Sequence, residues 1–523
     1  MPVNIPGQCT SCPREPTSQE LKAASQQGKV RLVMERFGVV FLAVVLGFAL
    51  AQGAPEPLKV EVGGQALEVE GSLVRYRFSQ LGGTLESAFI HFSSYRSQAV
   101  DAVPGWTGSG EDRALAPGVS LPFEVWQGDA RADEGAYRLE LDQPDENTAS
   151  VSLVREGVLK EFTVRTDALY TLEVRLRLSG DGDAVRVVLG HRPSGKGAPD
   201  LLFLYDGKSY SSPLPPDSAS RLEGLGLVGG EVVYFLRLDE AQGFSPFMGM
   251  NDAGQPVFGL EVQALAGEAV LKGVLYTGRN RYVLLEKAGL AGLTELGLFS
   301  RFLVLVMRFF EWLYNLTGNY GWAIILFTLI TRVVLYPLMR NQLRSMAKMQ
   351  RLAPKIKKLQ ERYKDDRETL QKQMMELYRQ ERVNPLGGCF PMLLQFPILI
   401  LLWQAILYSA EQIHLSPGFL WIGDLSQPDP YYVLVILTTG VMLLQQWLTQ
   451  RRMPEQGGGG SQAIGWLFPV IMAVLFMSFP AGLWLYWLLT TVIQMGQQLV
   501  VDWEMARERQ APAPSEPDGS KGR

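Results

Sequence analysis

The sequence predicts a multi-domain membrane protein. An exported all-β sandwich is followed by an α-helical membrane core of five transmembrane helices with a cytoplasmic helical hairpin. At 523 residues the chain is too long for one compact domain. Segments of alternating polarity fill its first part, and apolar runs long enough to cross a bilayer are concentrated after residue 298. The net charge of −4 argues against a generic nucleic-acid binder, and three cysteines cannot supply a disulfide framework.

Residues 1–54 are predicted to be an N-terminal extension that contains a signal peptide or signal anchor. Met34-Glu-Arg-Phe37 opens a short apolar run that ends at Ala49-Leu-Ala51. A basic residue, a short apolar stretch and an Ala-x-Ala site together are typical of secretion signals. Cleavage after Ala51 and retention as an anchor both remain open, and either outcome exports the residues that follow.

Residues 55–292 are predicted to form the β-sandwich. Stretches such as Leu73–Phe78, Val151–Arg155 and Leu172–Leu178 alternate apolar and polar side chains, as half-buried strands do. Turns rich in glycine, aspartate and proline separate these strands. We recognise no catalytic constellation in this part of the sequence.

Residues 293–318 are predicted to form an amphipathic helix that lies in the membrane interface. Arg301, Arg308, Glu311 and Asn315 fall within one narrow arc of a helical wheel, and the opposite face is apolar. Such a helix would join the sandwich to the first span.

Residues 319–503 are predicted to form the membrane core, and its first span contains Arg332. An arginine near the middle of a span costs about 2.5–3.5 kcal/mol even on a lenient insertion scale. The other apolar runs, around 389–410, 431–449 and 464–500, contain no Asp, Glu, Lys or Arg; they offer neutral groups such as Gln395, Gln404 and Gln494. This pattern predicts a wet cavity rather than a structural ion pair. An arginine that snorkels to the interface is the alternative.

Residues 341–383 are predicted to form the cytoplasmic hairpin. Thirteen basic and six acidic residues lie between 340 and 384, and short basic loops stay in the cytoplasm. Apolar residues at spacings of three and four form a narrow seam on both sides of Lys364-Asp-Asp-Arg367. A docking arm for other proteins and a passive tether both fit this pattern.

The remaining segments complete five crossings. Residues 411–430 lack Lys and Arg, as an external loop should, and Phe479-Pro-Ala-Gly482 divides a long apolar run into two spans. Gly457-Gly-Gly-Gly-Ser461 is compatible with an artificial linker and with a natural flexible loop. The tail, residues 504–523, has balanced charge and is predicted to be disordered.

Several motifs of the core resemble those of the YidC/Oxa/Alb family of membrane protein insertases. They include Thr331-Arg332, Tyr336-Pro-Leu338, Val383-Asn-Pro-Leu-Gly-Gly-Cys-Phe-Pro391, Gln395-Phe-Pro397 and Pro480-Ala-Gly-Leu-Trp-Leu-Tyr486. The match covers about 295–503, in the family's order. The preceding sandwich resembles the large periplasmic domain of Gram-negative-type members.

The resemblance implies a non-enzymatic insertase of the cell inner membrane, multi-pass, with its large domain in the periplasm and no cofactor or metal. Its implied partners are nascent membrane proteins, the lipid bilayer and the Sec translocon, with no nucleic acid. The ribosome is a further partner that the balanced tail supports only weakly. The implied substrate groove comprises Arg332, Thr328, Gln395, Trp403, Gln404, Tyr486, Trp487 and Gln494. The implied recruitment residues of the hairpin are Arg344, Lys348, Arg351, Lys355, Lys358 and Arg362.

Two other classes of membrane protein fit the sequence poorly. A secondary transporter or channel would carry internal repeats and ionisable residues in several helices. An intramembrane protease would need a nucleophile with a base within the membrane, and the segment 431–500 contains no histidine.

Overall fold

The computed structural model describes residues 57–94, 97–107, 112–128, 130–131, 135–182, 184–217, 220–263, 265–294, 296–364, 366–381, 390–450 and 459–510. The predicted extension and signal at 1–54 lie outside the described residues. So do the first half of the Gly457–Ser461 stretch and the end of the predicted tail.

The first part of the chain is a large β domain built from antiparallel pairs. Its nine-stranded sheet has the order β10 (Arg138–Asp145), β11 (Thr148–Arg155), β12 (Val158–Arg165), β13 (Thr171–Gly182), β21 (Leu265–Arg279), β18 (Val232–Ala241), β17 (Leu222–Val228), β15 (Asp200–Tyr205) and β16 (Lys208–Tyr210). One five-stranded sheet contains β1 (Lys59–Gly63), β2 (Ala66–Glu70), β3 (Val74–Ser79), β4 (Thr84–Ile90) and β5 (Val100–Asp101). The other contains β19 (Phe244–Met250), β20 (Pro256–Val262), β14 (Val185–His191), β8 (Glu124–Gln127) and β9 (Ala130–Arg131). A small pair joins β6 (Trp106–Thr107) to β7 (Ala114–Leu115).

The alternating sequence pattern produces the core of this domain. Along β11, every second side chain from Ala149 to Leu153 is buried, because successive residues of a strand point to opposite faces. Aromatic rings fill the space between strands: Phe162 lies 5.0 Å from Phe78 and 5.1 Å from Phe123, centroid to centroid. The predicted order of a large β domain followed by a helical part is confirmed.

A short segment leads from the β domain to the helical part. Helix α1 (Tyr282–Lys287) and a 3₁₀ turn (Ala291–Leu293) precede α2 (Leu298–Thr317), which ends at Gly318 with φ = 67°. The polar side of α2 faces α1, because Arg308 pairs with Glu286 at 2.5 Å and Glu311 with Lys287 at 2.7 Å. Apolar side chains remain exposed on α2: Leu298, Phe299, Phe302, Leu305, Trp312 and Leu316. This arrangement suits a helix whose outer side contacts lipid.

The first span and the first arm of the predicted hairpin form one continuous helix, α3 (Tyr320–Arg362). The predicted hairpin begins at residue 341, inside this helix. The change from apolar to charged side chains at that point alters the surroundings of the helix, but it does not interrupt the backbone hydrogen bonds. Pro337 and Pro354 are both accommodated inside the helix.

Helix α4 (Arg367–Gln380) follows α3 after a short turn. Its N-cap is Asp366, whose carboxylate accepts a hydrogen bond from the Thr369 backbone N–H at 3.0 Å. Leu352 and Ile356 of α3 pack with Tyr378 of α4 in a small apolar cluster.

The remaining helices are α5 (Phe390–Tyr408), α6 (Ala410–His414), α7 (Val433–Gln450), α8 (Gly459–Phe476) and α9 (Ala481–Gln510). Among the described helices, the segment Tyr320–Asn341 of α3 is long and apolar enough to cross a membrane, and shorter apolar stretches occur in α5, α7 and α8. The number of spans therefore stays a prediction. Helix α9 continues through Gln510, which corrects the prediction that disorder begins at residue 504.

Buried contacts join the β domain to the helical part. Ala410 of α6 belongs to the apolar core of the β domain, and Val283 of α1 packs against Ala405 of α5. Beside them, Arg281 donates through Nη1 to Glu411 Oε2 at 2.6 Å and to the Leu407 carbonyl at 2.8 Å. The Tyr170 hydroxyl donates to Glu411 Oε1 at 3.3 Å. Glu411 is fully buried, which raises the pKa of its carboxyl although Arg281 opposes the rise.

Candidate functional site

The candidate site is the region of α3 around Arg332. The helix begins after Asn319, whose side chain accepts a hydrogen bond from the Gly321 backbone N–H at 2.8 Å. Arg332 lies twelve positions after Tyr320, which is roughly 18 Å along a helix axis at 1.5 Å per residue. Its position near the middle of a bilayer core of about 30 Å stays a prediction. Arg332 is only 6% exposed, so its guanidinium is enclosed by protein.

Polar and aromatic side chains of α3 and α9 surround this position. Tyr486 of α9 is almost fully buried, and its side chain is close enough to Arg332 for the two to interact electrostatically. Thr328 is buried one turn before Arg332, and its hydroxyl donates to the Ile324 carbonyl at 2.7 Å. The structure therefore brings together three of the predicted groove residues, Arg332, Thr328 and Tyr486.

Other predicted groove residues take part in contacts among aromatic rings. The Trp403 ring stacks on Phe479 at 5.0 Å, and the Trp487 ring stacks on Trp484 at 5.5 Å. The first contact joins α5 to the turn before α9, and the second lies within α9. Gln404 and Gln494 are half-buried, and the side chain of Gln395 lies outside the described residues. A role for these residues in a groove stays a prediction.

Buried threonines add hydroxyl groups to the interior of the helical part. Thr490 and Thr491 of α9 and Thr438 of α7 are all nearly inaccessible to solvent. Thr438 and Thr491 donate to carbonyls one turn earlier in their own helices, at 2.7 and 2.8 Å. Thr438 was not among the predicted groove residues; a hydroxyl within a charge-free apolar run was its only signal in the sequence.

The predicted recruitment residues lie on α3 in two different settings. Arg344 forms an ion pair at 3.3 Å with Glu504 of α9, and Lys355 pairs with Glu381. Lys348, Lys358 and Arg362 are exposed, and the side chain of Arg351 lies outside the described residues. Arg340 was not among the predicted recruitment residues. It forms an ion pair with the same carboxylate of Glu504 as Arg344 does.

A separate cleft of about 850 Å³ lies between the β domain and residues 414–427. Its lining includes His91, Phe92, His414, Trp421 and Asp424. His414 Nδ1 lies 2.8 Å from Asp424 Oδ2, and His91 Nε2 lies 2.8 Å from the Gly71 carbonyl oxygen. Within the described ranges, no group of three or more His, Cys, Asp or Glu side chains is arranged to hold a metal ion.

Comparison with known proteins places this architecture among membrane insertases. Residues 312–508 match a family described as 60Kd inner membrane protein. The chain is 33% identical over 430 residues to the membrane protein insertase YidC of Wolinella succinogenes, a match that covers 77% of each chain. It is 42% identical over 248 residues to the membrane protein insertase YidC of Francisella tularensis subsp. novicida, across 46% of this chain and 42% of that protein.

A solved structure has the same fold. The crystal structure of an active YidC insertase with its first transmembrane domain resolved aligns with a TM-score of 0.54 and 21% identity. The alignment covers 90% of this chain and 99% of that chain, so the β domain and the helical part are both included.

Proposed function

The chain belongs to the YidC family of membrane protein insertases, and from that premise we propose that Arg332 receives polar parts of incoming substrates within the membrane. The observation that carries this proposal is the burial of the Arg332 guanidinium beside Tyr486 and Thr328, on a segment long and apolar enough to cross a membrane. On this proposal Arg332 lies at mid-membrane depth, where its positive charge attracts acidic residues of a segment that must cross. A polar site within the membrane also shortens the apolar part of the bilayer that the segment has to cross.

Release into lipid needs no chemical step. An incoming helix gains about 25 cal/mol for each Å² of apolar surface that leaves water. We infer that the substrate moves sideways between helices once its polar end has crossed. The neutral amides and hydroxyls of the predicted groove, including Gln404 and Gln494, bind less strongly than a carboxylate would and therefore allow the substrate to leave.

The hairpin formed by the end of α3 and α4 is the proposed recruitment arm. Its exposed cations include Lys348, Lys358 and Arg362, and its two helices are joined by a small apolar cluster around Ile356 and by the Lys355–Glu381 ion pair. On this proposal the arm lies in the cytoplasm, the β domain lies in the periplasm, and the Sec translocon cooperates with the insertase. The ribosome is a further candidate partner.

The test is the insertion of a single-span substrate into liposomes that contain the purified protein, measured by protease protection. Two substrates are compared, one with three acidic residues in its translocated segment and one with the corresponding amides. We expect Arg332→Lys to retain most activity, because lysine keeps the charge. We expect Arg332→Ala to lose on the order of tenfold in rate with the acidic substrate, equivalent to about 1.4 kcal/mol, and little with the neutral one.

Arg301→Ala is the matched control, since it removes a cation from the exposed surface of α2. Thermal unfolding in detergent separates a loss of function from a loss of fold. If Arg332→Lys and Arg332→Ala fail equally with both substrates and also unfold earlier, Arg332 is a structural donor. A fully active, stable Arg332→Ala protein would refute the proposed role of the charge.

A further inference from the structure

Two arginines of α3 converge on one carboxylate of α9. Arg340 donates to Glu504 Oε2 through Nε at 3.1 Å and through Nη2 at 2.8 Å. Arg344, one helical turn later, donates to the same oxygen through Nη2 at 3.3 Å. These hydrogen bonds lower the pKa of Glu504, with that from Arg340 contributing most. Glu504 is therefore held ionised by a site built from two guanidinium groups.

An anion between Arg340 and Arg344 reduces the electrostatic repulsion between the two guanidinium groups. Like charges four residues apart on a helix repel each other, and guanidinium groups match a carboxylate geometrically. All three side chains are nevertheless accessible, with 39% of Arg340, 32% of Arg344 and 23% of Glu504 exposed. A partly exposed ion pair is weak, so an external carboxylate can replace that of Glu504 at little cost.

The position of the pair on α3 connects two other features of the chain. Arg340 lies eight residues, roughly 12 Å along the helix axis, beyond Arg332. Lys348 follows Arg344 after one further turn, so cations recur every four residues from Arg340 toward the hairpin. Along α3, the arginine pair therefore lies between Arg332 and Lys348, the first of the exposed cations of the proposed recruitment arm.

We propose that Arg340 and Arg344 form a transfer site for an acidic side chain of the incoming polypeptide, and that Glu504 occupies this site in the resting protein. The proposal rests on the proposed insertase function and assigns it a substrate preference at the membrane entrance. Glu504 acts as an internal competitor: it offsets one of the two positive charges and gives way to a substrate carboxylate. Because Glu504 stays attached to α9, it remains nearby after the exchange and can return to the arginines when the substrate moves on.

The first test measures binding, independently of insertion. A fluorescein-labelled Gly/Ser peptide with three aspartates and its three-asparagine counterpart are titrated by anisotropy against the full-length protein in detergent. We expect Glu504→Gln to bind the aspartate peptide several-fold more tightly than the wild type, and Arg340→Gln to bind it several-fold more weakly. The asparagine peptide should not distinguish these proteins. Equal changes for both peptides, or no change for either, would overturn the proposal.

Matched controls carry the same charge changes elsewhere on the exposed helices. Glu361→Gln removes an acid from α3 and Arg379→Gln removes a cation from α4. The affinity of these controls for the aspartate peptide should change less than that of Glu504→Gln and Arg340→Gln. An equal change would mean that net charge alone determines binding, and it would overturn the proposal.

The second test is the insertion rate of the acidic and neutral substrates as a function of their concentration. Glu504→Gln should lower the half-saturating concentration of the acidic substrate alone, with its maximal rate unchanged. If Glu504→Gln lowers the insertion rate of both substrates equally, Glu504 only stabilises the fold and the proposal fails. If the wild type shows charge-dependent peptide binding but inserts neither substrate, the transfer site stands and the proposed function fails.

Discussion

Breaking the buried ion pair between Arg281 and Glu411 should destabilise the whole protein, although the pair itself contributes little. Glu411→Leu would leave the Arg281 guanidinium, whose side chain is 14% exposed, beside the Leu407 carbonyl with no carboxylate at Glu411. Arg281→Met would leave a fully buried carboxylate with the Tyr170 hydroxyl at 3.3 Å. Removing one partner of such a pair typically costs 3–5 kcal/mol, because the remaining charge stays buried.

The double variant Glu411→Leu/Arg281→Met should behave differently. Both replacements are apolar, and apolar substitutes for a complete buried pair are often neutral or stabilising. We expect it to unfold within about 1 kcal/mol of the wild type, which makes the coupling energy several kcal/mol.

The measurement is urea unfolding of the four proteins in the same detergent, followed by tryptophan fluorescence, with the midpoint and slope compared. Limited proteolysis reports whether the β domain separates from the helices in the single variants. The reasoning is refuted if the losses are additive, so that the double variant loses as much free energy of unfolding as the two single variants together.

Two further predictions follow from the junction and from helix packing. Burial raises the pKa of the Glu411 carboxyl above its ordinary value of 4.5. The protonated carboxyl therefore stabilises the folded protein fully below about pH 4.5, and this stabilisation is lost as the pH rises through the folded-state pKa. Urea titrations at increasing pH should therefore show the wild type losing stability relative to the double variant, and parallel curves would contradict this. Gly321→Ala should cost about 1–3 kcal/mol by overpacking, since a Cβ there would lie 2.1 Å from the Phe419 ring. Gly440→Ala, where a Cβ meets nothing within 4 Å, is its control; equal thermal stability of the two variants would count against the packing argument.

Much of the architecture could be predicted from local patterns. Alternation of polarity identified strands such as β11 and β13, and the length of the apolar run identified the span that contains Arg332. The start of the hairpin at residue 341 stays a prediction; α3 runs through this position without a break, because charge changes the surroundings of a helix without ending it. The helical residues 504–510 were missed because balanced charge indicates disorder only when no tertiary contact orders the segment.

The sequence by itself determined the order of the domains and the membership of the insertase family, because both depend on residues close together along the chain. The tertiary structure decided which charges meet. Glu411 lies 130 residues after Arg281, and Glu504 lies 164 residues after Arg340. In the sequence, Glu411 is one acid of an external loop and Glu504 one acid of a balanced tail. Only folding brings each carboxylate to its arginine, because the attraction between two charges depends on their separation in space, whatever their distance along the chain.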